Sequence, residues 1–181
     1  MRSDLPVLLG LKSNASEANN DVMYEACLLL GSNINPLENI RAAVRELRKV
    51  MTLQKLSQVW ETKAEGSPGP RFLNLAALAT TELEALSLKG QVLRPIEKIL
   101  GRVRTGDKSA PRIIDLDIIV FNGIVIEKKL WESVFMALPI SELLPQLINP
   151  HTNQSLIDFA QQIERSSTAL SCPDLYFDIT N

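Results

Sequence analysis

Histidine, cysteine and aromatic residues are scarce in this 181-residue chain, and each shortage excludes a class of site. With one histidine, His151, and two cysteines, Cys27 and Cys172, a zinc site built from Cys and His ligands is excluded. The cysteines show no paired framework, which favours a reducing compartment. Aromatic residues make up only 5% of the chain, too few for the stacking platform of an RNA-binding sheet.

A basic charge excess and long apolar runs are missing as well. The formal net charge is -2 and the pI is about 5.5, whereas nucleic-acid and membrane-surface binders usually carry a basic field. The apolar run 6–11 is too short for a membrane span or for the core of a secretory signal. One basic helix face, with Arg41, Arg45 and Arg48, is a weak signal for RNA. We therefore expect a cytoplasmic protein with no nucleic-acid or membrane partner.

What is present is the composition of a globular domain, with 45% hydrophobic and 22% charged residues. We expect residues 1–25 to be an N-terminal extension, partly disordered, and residues 26–181 to form a single domain. Apolar patterns and turn signals predict strands at 26–30, 53–62, 72–81 and 113–121. They also predict a helix that Asn35 caps and that has Leu37, Ile40, Val44 and Leu47 on one face, and a second helix at 83–100 with a kink or a split at Gly90 and Pro95. This β-α-β-β-α-β order predicts an α+β ferredoxin-like sandwich, an antiparallel sheet with helices on one face and the other face partly open.

Two aspartates in the most strand-like stretch are the first candidates for chemistry. Asp115 and Asp117 are two residues apart, so their side chains point to the same face of a strand, while Ile114, Leu116, Ile118 and Val120 form a core stripe on the other face. Adjacent carboxylates repel each other, and a magnesium ion shared with nucleotide phosphates relieves that repulsion. A solvated acidic face is the alternative that this pattern alone leaves open.

Four cations immediately before the pair favour the metal–phosphate interpretation. They are Arg102, Arg104, Lys108 and Arg112. Arginine binds phosphate in a bidentate manner and lysine adds a point charge, so the group suits a magnesium–polyphosphate complex. A mutual salt-bridge network is the alternative, although four cations exceed what two carboxylates need. The nearby Gly101–Ser109 stretch only approximates a P-loop and lies between a helix and a strand, the reverse of the order that a P-loop requires.

These motifs together resemble one family. The stretch 108–119 (KSAPRIIDLDII) resembles the signature of the 6-hydroxymethyl-7,8-dihydropterin pyrophosphokinases. Further matches follow in order over about residues 26–160: LGSN at 30–33, WET at 60–62, FLN at 72–74, GRVR at 101–104 and FMALP at 135–139.

The resemblance implies a ferredoxin-like fold and transfer of pyrophosphate from ATP to a pterin hydroxymethyl group, with release of AMP. It implies that Asp115 and Asp117 hold Mg2+. The phosphates would meet Arg104 and Arg112, together with Arg102 and Lys108. Glu97 and Ile118 would lie near the nucleoside. The pterin would be sandwiched by Phe72 and Phe135 and hydrogen-bonded by Asn74 near Thr62. A folate-pathway enzyme is a possible partner.

The residues themselves agree with the acceptor side of this assignment. Phe72 and Asn74 share one face of a strand, which suits a flat heterocycle with donors and acceptors on its rim. A core phenylalanine beside a satisfied asparagine is the alternative.

The chain departs from the family between residues 128 and 134, where the loop is short and lacks the usual histidine and arginine. The chain has Ser109 where the family often has a tryptophan, and Lys63 where the family often has a proline. These differences leave two alternatives, a divergent enzyme that uses ATP and Mg2+ on another acceptor and a non-catalytic binding module.

Overall fold

An antiparallel sheet forms the centre of the protein. The computed structural model describes residues 22–64, 69–103, 111–175 and 177. Seven strands lie within this described part: β1 (Tyr24–Ser32), β2 (Thr52–Leu56), β3 (Val59–Thr62), β4 (Phe72–Thr81), β5 (Asp115–Phe121), β6 (Ile124–Val125) and β7 (Leu170–Cys172). Their order is β6-β5-β1-β4-β3-β7, with β2 also paired to β4, and every pairing is antiparallel. The predicted α+β class is confirmed.

Two strand boundaries differ from the sequence expectation. β1 begins at Tyr24, two residues inside the stretch assigned to the extension. The single strand predicted at 53–62 is two strands, separated at Ser57 and Gln58. There the Ser57 amide donates to the Ala76 carbonyl (3.0 Å), and the Ser57 hydroxyl accepts from the Ala76 amide (2.9 Å). The serine side chain therefore replaces a backbone acceptor, and β2 and β3 can both pair with the long strand β4.

The first helix, α1 (Pro36–Arg48), buries the apolar face that its spacing predicts, including Ile40, Val44 and Leu47. The predicted capping role of Asn35 is wrong. Its backbone is left-handed (φ 39°) rather than extended, and its side chain makes no capping hydrogen bond. Instead the Asn39 side-chain amide donates to the Ile34 carbonyl (2.6 Å) and ties the turn to the helix.

The long helix predicted at 83–100 is divided into three parts, as the internal glycine and proline indicated. These are α2 (Ala85–Ser87), a π-helical segment (Leu88–Leu93) and α3 (Arg94–Ile99), which has Pro95 in its first turn. Gly101 follows with φ 91°, the left-handed conformation that ends helices and that glycine adopts without strain.

Helices cover both faces of the sheet, which corrects the expectation of one open face. On one face, α1 and α3 pack on Leu28, Leu30 and Leu75. On the other face, α4 (Val134–Leu143) and α5 (Leu156–Ser166) pack on Leu29 and Ala76. The sequence signal for this second layer was weak because α4 is apolar on nearly all sides and contains Pro139. No helix in the described ranges is long and apolar enough to cross a bilayer.

Strand β5 contains a β-bulge. Ile118 pairs with Leu28 and Val120 with Cys27, so Ile119 is an extra residue in the ladder. Leu116 and Ile118 face α1 as predicted, but Val120 faces α4, which corrects the expectation of one unbroken stripe. The predicted hairpin to β6 is confirmed at Asn122-Gly123, where both residues have positive φ.

Candidate active site

The predicted acidic and acceptor-binding residues share one face of the sheet. In β4, Ala76 and Leu78 face α4, so Phe72 and Asn74, at even positions, lie on that face. In β5, Ile119 faces α4, and Asp115 and Asp117 alternate onto the same face.

Gly31 lies between these two groups. It pairs with Asn74 on one side and with Asp115 on the other, so the three residues form one row across β4, β1 and β5. A Cβ at Gly31 would come within 3.2 Å of the Asn74 side-chain oxygen. Because glycine has no side chain, the sheet surface between Asp115 and Asn74 carries no side chain at this position. We call this surface the bare floor, and it spans about 10 Å, which is two ordinary strand spacings. Sequence reasoning matched Gly31 to the family turn but missed it as a site residue.

Asp115 is held by two arginines. Its Oδ1 accepts from Arg102, and its Oδ2 accepts from Arg112 Nη1 (2.6 Å). The Arg112 backbone is itself fixed, because its amide donates to the Asn33 side chain (2.6 Å) and its carbonyl accepts from the Asn33 amide (3.1 Å). The loop before β5 is thereby attached to the turn after β1.

Asp117 is more exposed and has a different cation. Its Oδ1 accepts from Lys89 Nζ (3.0 Å), and the two side chains are 41% and 39% exposed. Sequence reasoning missed Lys89, which lies in the π-helical segment. Both carboxylates are therefore paired with cations in the structure, which agrees with the salt-bridge alternative and not with unpaired acids.

Glu97 supports this cluster from α3. Its side chain is almost fully buried, accepts from Arg102, and accepts from the Leu116 amide (2.9 Å) on the outer edge of β5. Burial by itself lowers the pKa of the Arg102 guanidinium, but its hydrogen bonds and ion pairs with Asp115 and Glu97 outweigh burial and raise the pKa above its ordinary value. Arg102 thus stays charged and fixes Asp115.

The structure brings only some of the other predicted residues to the cluster. The Ile118 side chain lies in the core beside α1, so a nucleoside contact there would fall to its backbone. That backbone points to the same open edge of β5 as the Leu116 amide, two residues earlier. Arg104 and Lys108, predicted to meet phosphates, lie outside the described residues.

The acceptor-side residues lie at the ends of β3 and β4 and at the start of α4. The Asn74 side-chain amide donates to the Thr62 hydroxyl (3.0 Å), and both residues are buried. Phe72 is half-buried opposite Thr62. Phe135 lies in the first turn of α4, whose position is set by Glu142. That carboxylate accepts from the Trp60 indole of β3 (2.6 Å) and from the backbone amide of Gln58 (2.8 Å), which directly precedes β3.

The donor set suits magnesium shared with a phosphate ligand. Among the described residues, no cluster of three or more His, Cys, Asp or Glu side chains could hold a metal by itself. Asp115 and Asp117 supply hard carboxylate oxygens on one face, and magnesium commonly takes one or two carboxylates plus phosphate oxygens. The residues therefore fit a metal that arrives with a nucleotide.

An α+β sandwich with two helical layers and a cation-bordered acid pair on its sheet is compatible with the class of phosphate-transferring enzymes that bind a nucleotide with metal. The family model for 7,8-dihydro-6-hydroxymethylpterin-pyrophosphokinase (HPPK) matches residues 27–145. The chain belongs to this family.

Curated relatives agree with this assignment. A 2-amino-4-hydroxy-6-hydroxymethyldihydropteridine pyrophosphokinase of Bacillus subtilis is 34% identical over 140 residues, covering 71% of this chain and 81% of the relative. The enzyme of the same name from Synechocystis is 27% identical over 163 residues, covering 84% and 83%. The relatives confirm the predicted family and class of enzyme.

Other relatives are much longer than this chain. The folic acid synthesis protein of Dictyostelium discoideum is 32% identical over 148 residues, and the chain spans only 22% of its length. The crystal structure of wild-type HPPK-DHPS from Plasmodium falciparum superposes with a TM-score of 0.64 at 13% identity, covering 78% of this chain and 44% of that one. That likeness supports the fold.

Proposed function

We propose that this chain transfers pyrophosphate from ATP to the hydroxymethyl group of 6-hydroxymethyl-7,8-dihydropterin. The hydroxymethyl oxygen forms a bond to the β-phosphorus and loses its proton. The bond from that phosphorus to the oxygen bridging to the α-phosphorus breaks, and AMP leaves with that oxygen. The observation that supports this proposal is the row in which Asn74 and Asp115 flank the bare floor at Gly31.

In this proposal, residues at the Asp115 end of the row bind the metal and the phosphates, and residues at the Asn74 end bind the pterin. Asp115 and Asp117 would hold Mg2+, which supplies neutralisation of phosphate charge. Arg112, whose side chain is 37% exposed, can turn from Asp115 to a phosphate, whereas Arg102 is 12% exposed and held between two carboxylates. We therefore assign phosphate contact to Arg112 and positioning of Asp115 to Arg102.

No described residue at the row is an evident general base for the hydroxymethyl proton, and the reaction does not depend on a strong one. Phosphoryl-type transfer relies mainly on positioning and on stabilising charge on the transferred group. Asn74, fixed by Thr62, and the rings of Phe72 and Phe135 would orient the pterin, and α4 would shield that end from water.

The direct test is AMP formation from ATP in the presence and absence of the pterin. We expect pterin-dependent AMP, and we expect Asp117→Asn to lower its rate by at least about 100-fold, because one preorganised charge at the transferred group is removed. The matched control is Asp174→Asn, an exposed acid in the turn after β7. ADP in place of AMP would refute the proposal.

Two other outcomes would identify the alternatives. Tight binding of ATP with Mg2+ but no pterin-dependent AMP indicates an enzyme for another acceptor, as the short loop at 128–134 suggests. No thermal shift with ATP and Mg2+ indicates a non-catalytic module. A folate-pathway enzyme remains a proposed partner, supported by the Arabidopsis thaliana relatives named folate synthesis bifunctional proteins. A cytoplasmic location and the absence of nucleic-acid and membrane partners remain predictions.

A further inference from the structure

A small cavity of about 170 Å3 lies at the acceptor end of the sheet. The described residues that line it come from three places, the end of β3 (Thr62, Lys63 and Ala64), the start of α4 (Val134 and Phe135) and the segment before β7 (Ser167, Thr168 and Ala169). Drug-sized ligand pockets measure about 300–1,000 Å3. This cavity therefore suits one part of a ligand, such as a flat ring, and not a whole nucleotide.

The segment 167–169 belongs to a part of the chain beyond the family-model match, which ends at residue 145. It nevertheless supplies three of the eight described lining residues, beside the predicted acceptor residues Thr62 and Phe135. The acceptor end of this protein thus has a wall that the matched stretch does not provide.

That wall is fixed to the sheet by three separate sets of contacts. Strand β7 follows it immediately and pairs with β3 from Val59 to Glu61. The Arg71 guanidinium donates to the Thr168 carbonyl (2.7 Å) and to the Glu61 carbonyl (3.2 Å), and it also pairs with the Glu61 carboxylate. Ala169 packs with Val134 in the cluster around Trp60. A segment held on both sides in this way can set the width of the cavity.

We infer that segment 167–169 is a specificity wall of the acceptor site, which limits the cavity to a small, flat, polar-rimmed heterocycle held against Phe135. The inference rests on the proposed function, since it concerns the acceptor of that reaction. Thr168 is the middle residue of this segment, and it lines the cavity together with Thr62. The nucleotide end of the row lies on β5, which strands β1 and β4 separate from β3 and the wall.

Substitutions that fill the cavity test the inference. Thr168→Trp is expected to raise the KM for the hydroxymethyl dihydropterin by about tenfold and to leave the KM for ATP within about twofold, because only acceptor binding is obstructed. Thr168→Leu is expected to act in the same direction with a smaller effect, and it provides a second variant if the tryptophan disturbs folding. The control is Thr152→Trp, an exposed threonine in the turn between α4 and α5.

Pterin binding measured by calorimetry, with a non-hydrolysable ATP analogue and Mg2+ present, gives a readout independent of turnover. Weaker binding in both Thr168 variants, with correct thermal unfolding, supports the wall. If the wild-type protein is active and both Thr168 variants have its KM and affinity for the pterin, the inference is overturned and the proposed function is unaffected. A wild-type protein without pterin-dependent AMP overturns the proposed function itself.

Discussion

The buried carboxylate of Glu97 offers the sharpest test of the site's construction. Glu97→Gln removes its charge while keeping its shape and one side-chain oxygen. The Leu116 amide keeps an acceptor, and Arg102 loses one of its two carboxylate partners but keeps Asp115. The substitution therefore weakens the charge-assisted contact with Arg102 in a place that water scarcely reaches.

The expected loss of stability in Glu97→Gln can be estimated from the burial of the two side chains. The Glu97 and Arg102 side chains are 3% and 12% exposed, so solvent screens their attraction little. A hydrogen bond to a charged group contributes about 1.5–3 kcal/mol, and we expect a loss of about 2 kcal/mol in the free energy of unfolding. For a domain of this size each 1 kcal/mol lowers Tm by about 2–4 °C, so Tm should fall by about 4–8 °C.

Urea denaturation measures this loss directly, as a lower midpoint with an unchanged m-value. The matched control is Glu46→Gln, which removes a helix-surface pair with Lys49 (2.7 Å) whose lysine is 64% exposed. Such exposed pairs contribute about 0–1 kcal/mol. Equal destabilisation by the two variants would refute the reasoning. So would unchanged stability of Glu97→Gln with a raised KM for ATP, since that result would assign Glu97 to the nucleoside instead.

Two further predictions concern Gly31 and the cysteines. Gly31→Ala places a methyl group 3.2 Å from the Asn74 side chain, so we expect a raised KM for the pterin in steady-state AMP assays. Gly90→Ala is the control because its Cβ would meet nothing within 4 Å, and equal kinetics in the two variants would count against the row. Burial raises the pKa of the Cys27 thiol from 9.0 to about 12, so iodoacetamide at pH 8 should label Cys172 but not Cys27 in the native protein, as mass spectrometry would show. The same shift should lower stability as pH rises from 9.0 towards 12, because the unfolded chain loses the thiol proton first, and native labelling of Cys27 would contradict both expectations.

The strand and helix order could be predicted from the sequence because the decisive signals are local. Alternation placed Asp115 and Asp117 on one face, and Asn122-Gly123 indicated the hairpin. The failures arise where a long-range partner decides the outcome. Ser57 divides a strand through bonds to Ala76, and no pattern near Ser57 announces that pairing.

The candidate site shows the same division. Sequence reasoning named the acids and Arg112, because residue type and spacing suffice for them. Lys89, which pairs with Asp117, lies in a six-residue π-helical segment, and so short a segment leaves no periodic signature in the sequence. The cover over the second sheet face was missed because α4 has no polar side to reveal its orientation. The wall at 167–169 depends on β7, a three-residue strand too short to predict.

The Leu116 amide faces outward on β5, at a level where β6, which pairs only with Val120 and Phe121, offers no partner. An unpaired amide row at such a position would attract a strand from another molecule. Glu97 occupies this position with its own carboxylate. A foreign strand that paired here would first have to displace the Glu97 carboxylate from the Leu116 amide. We therefore expect the side chain that supports the acid cluster also to hinder strand addition at this edge.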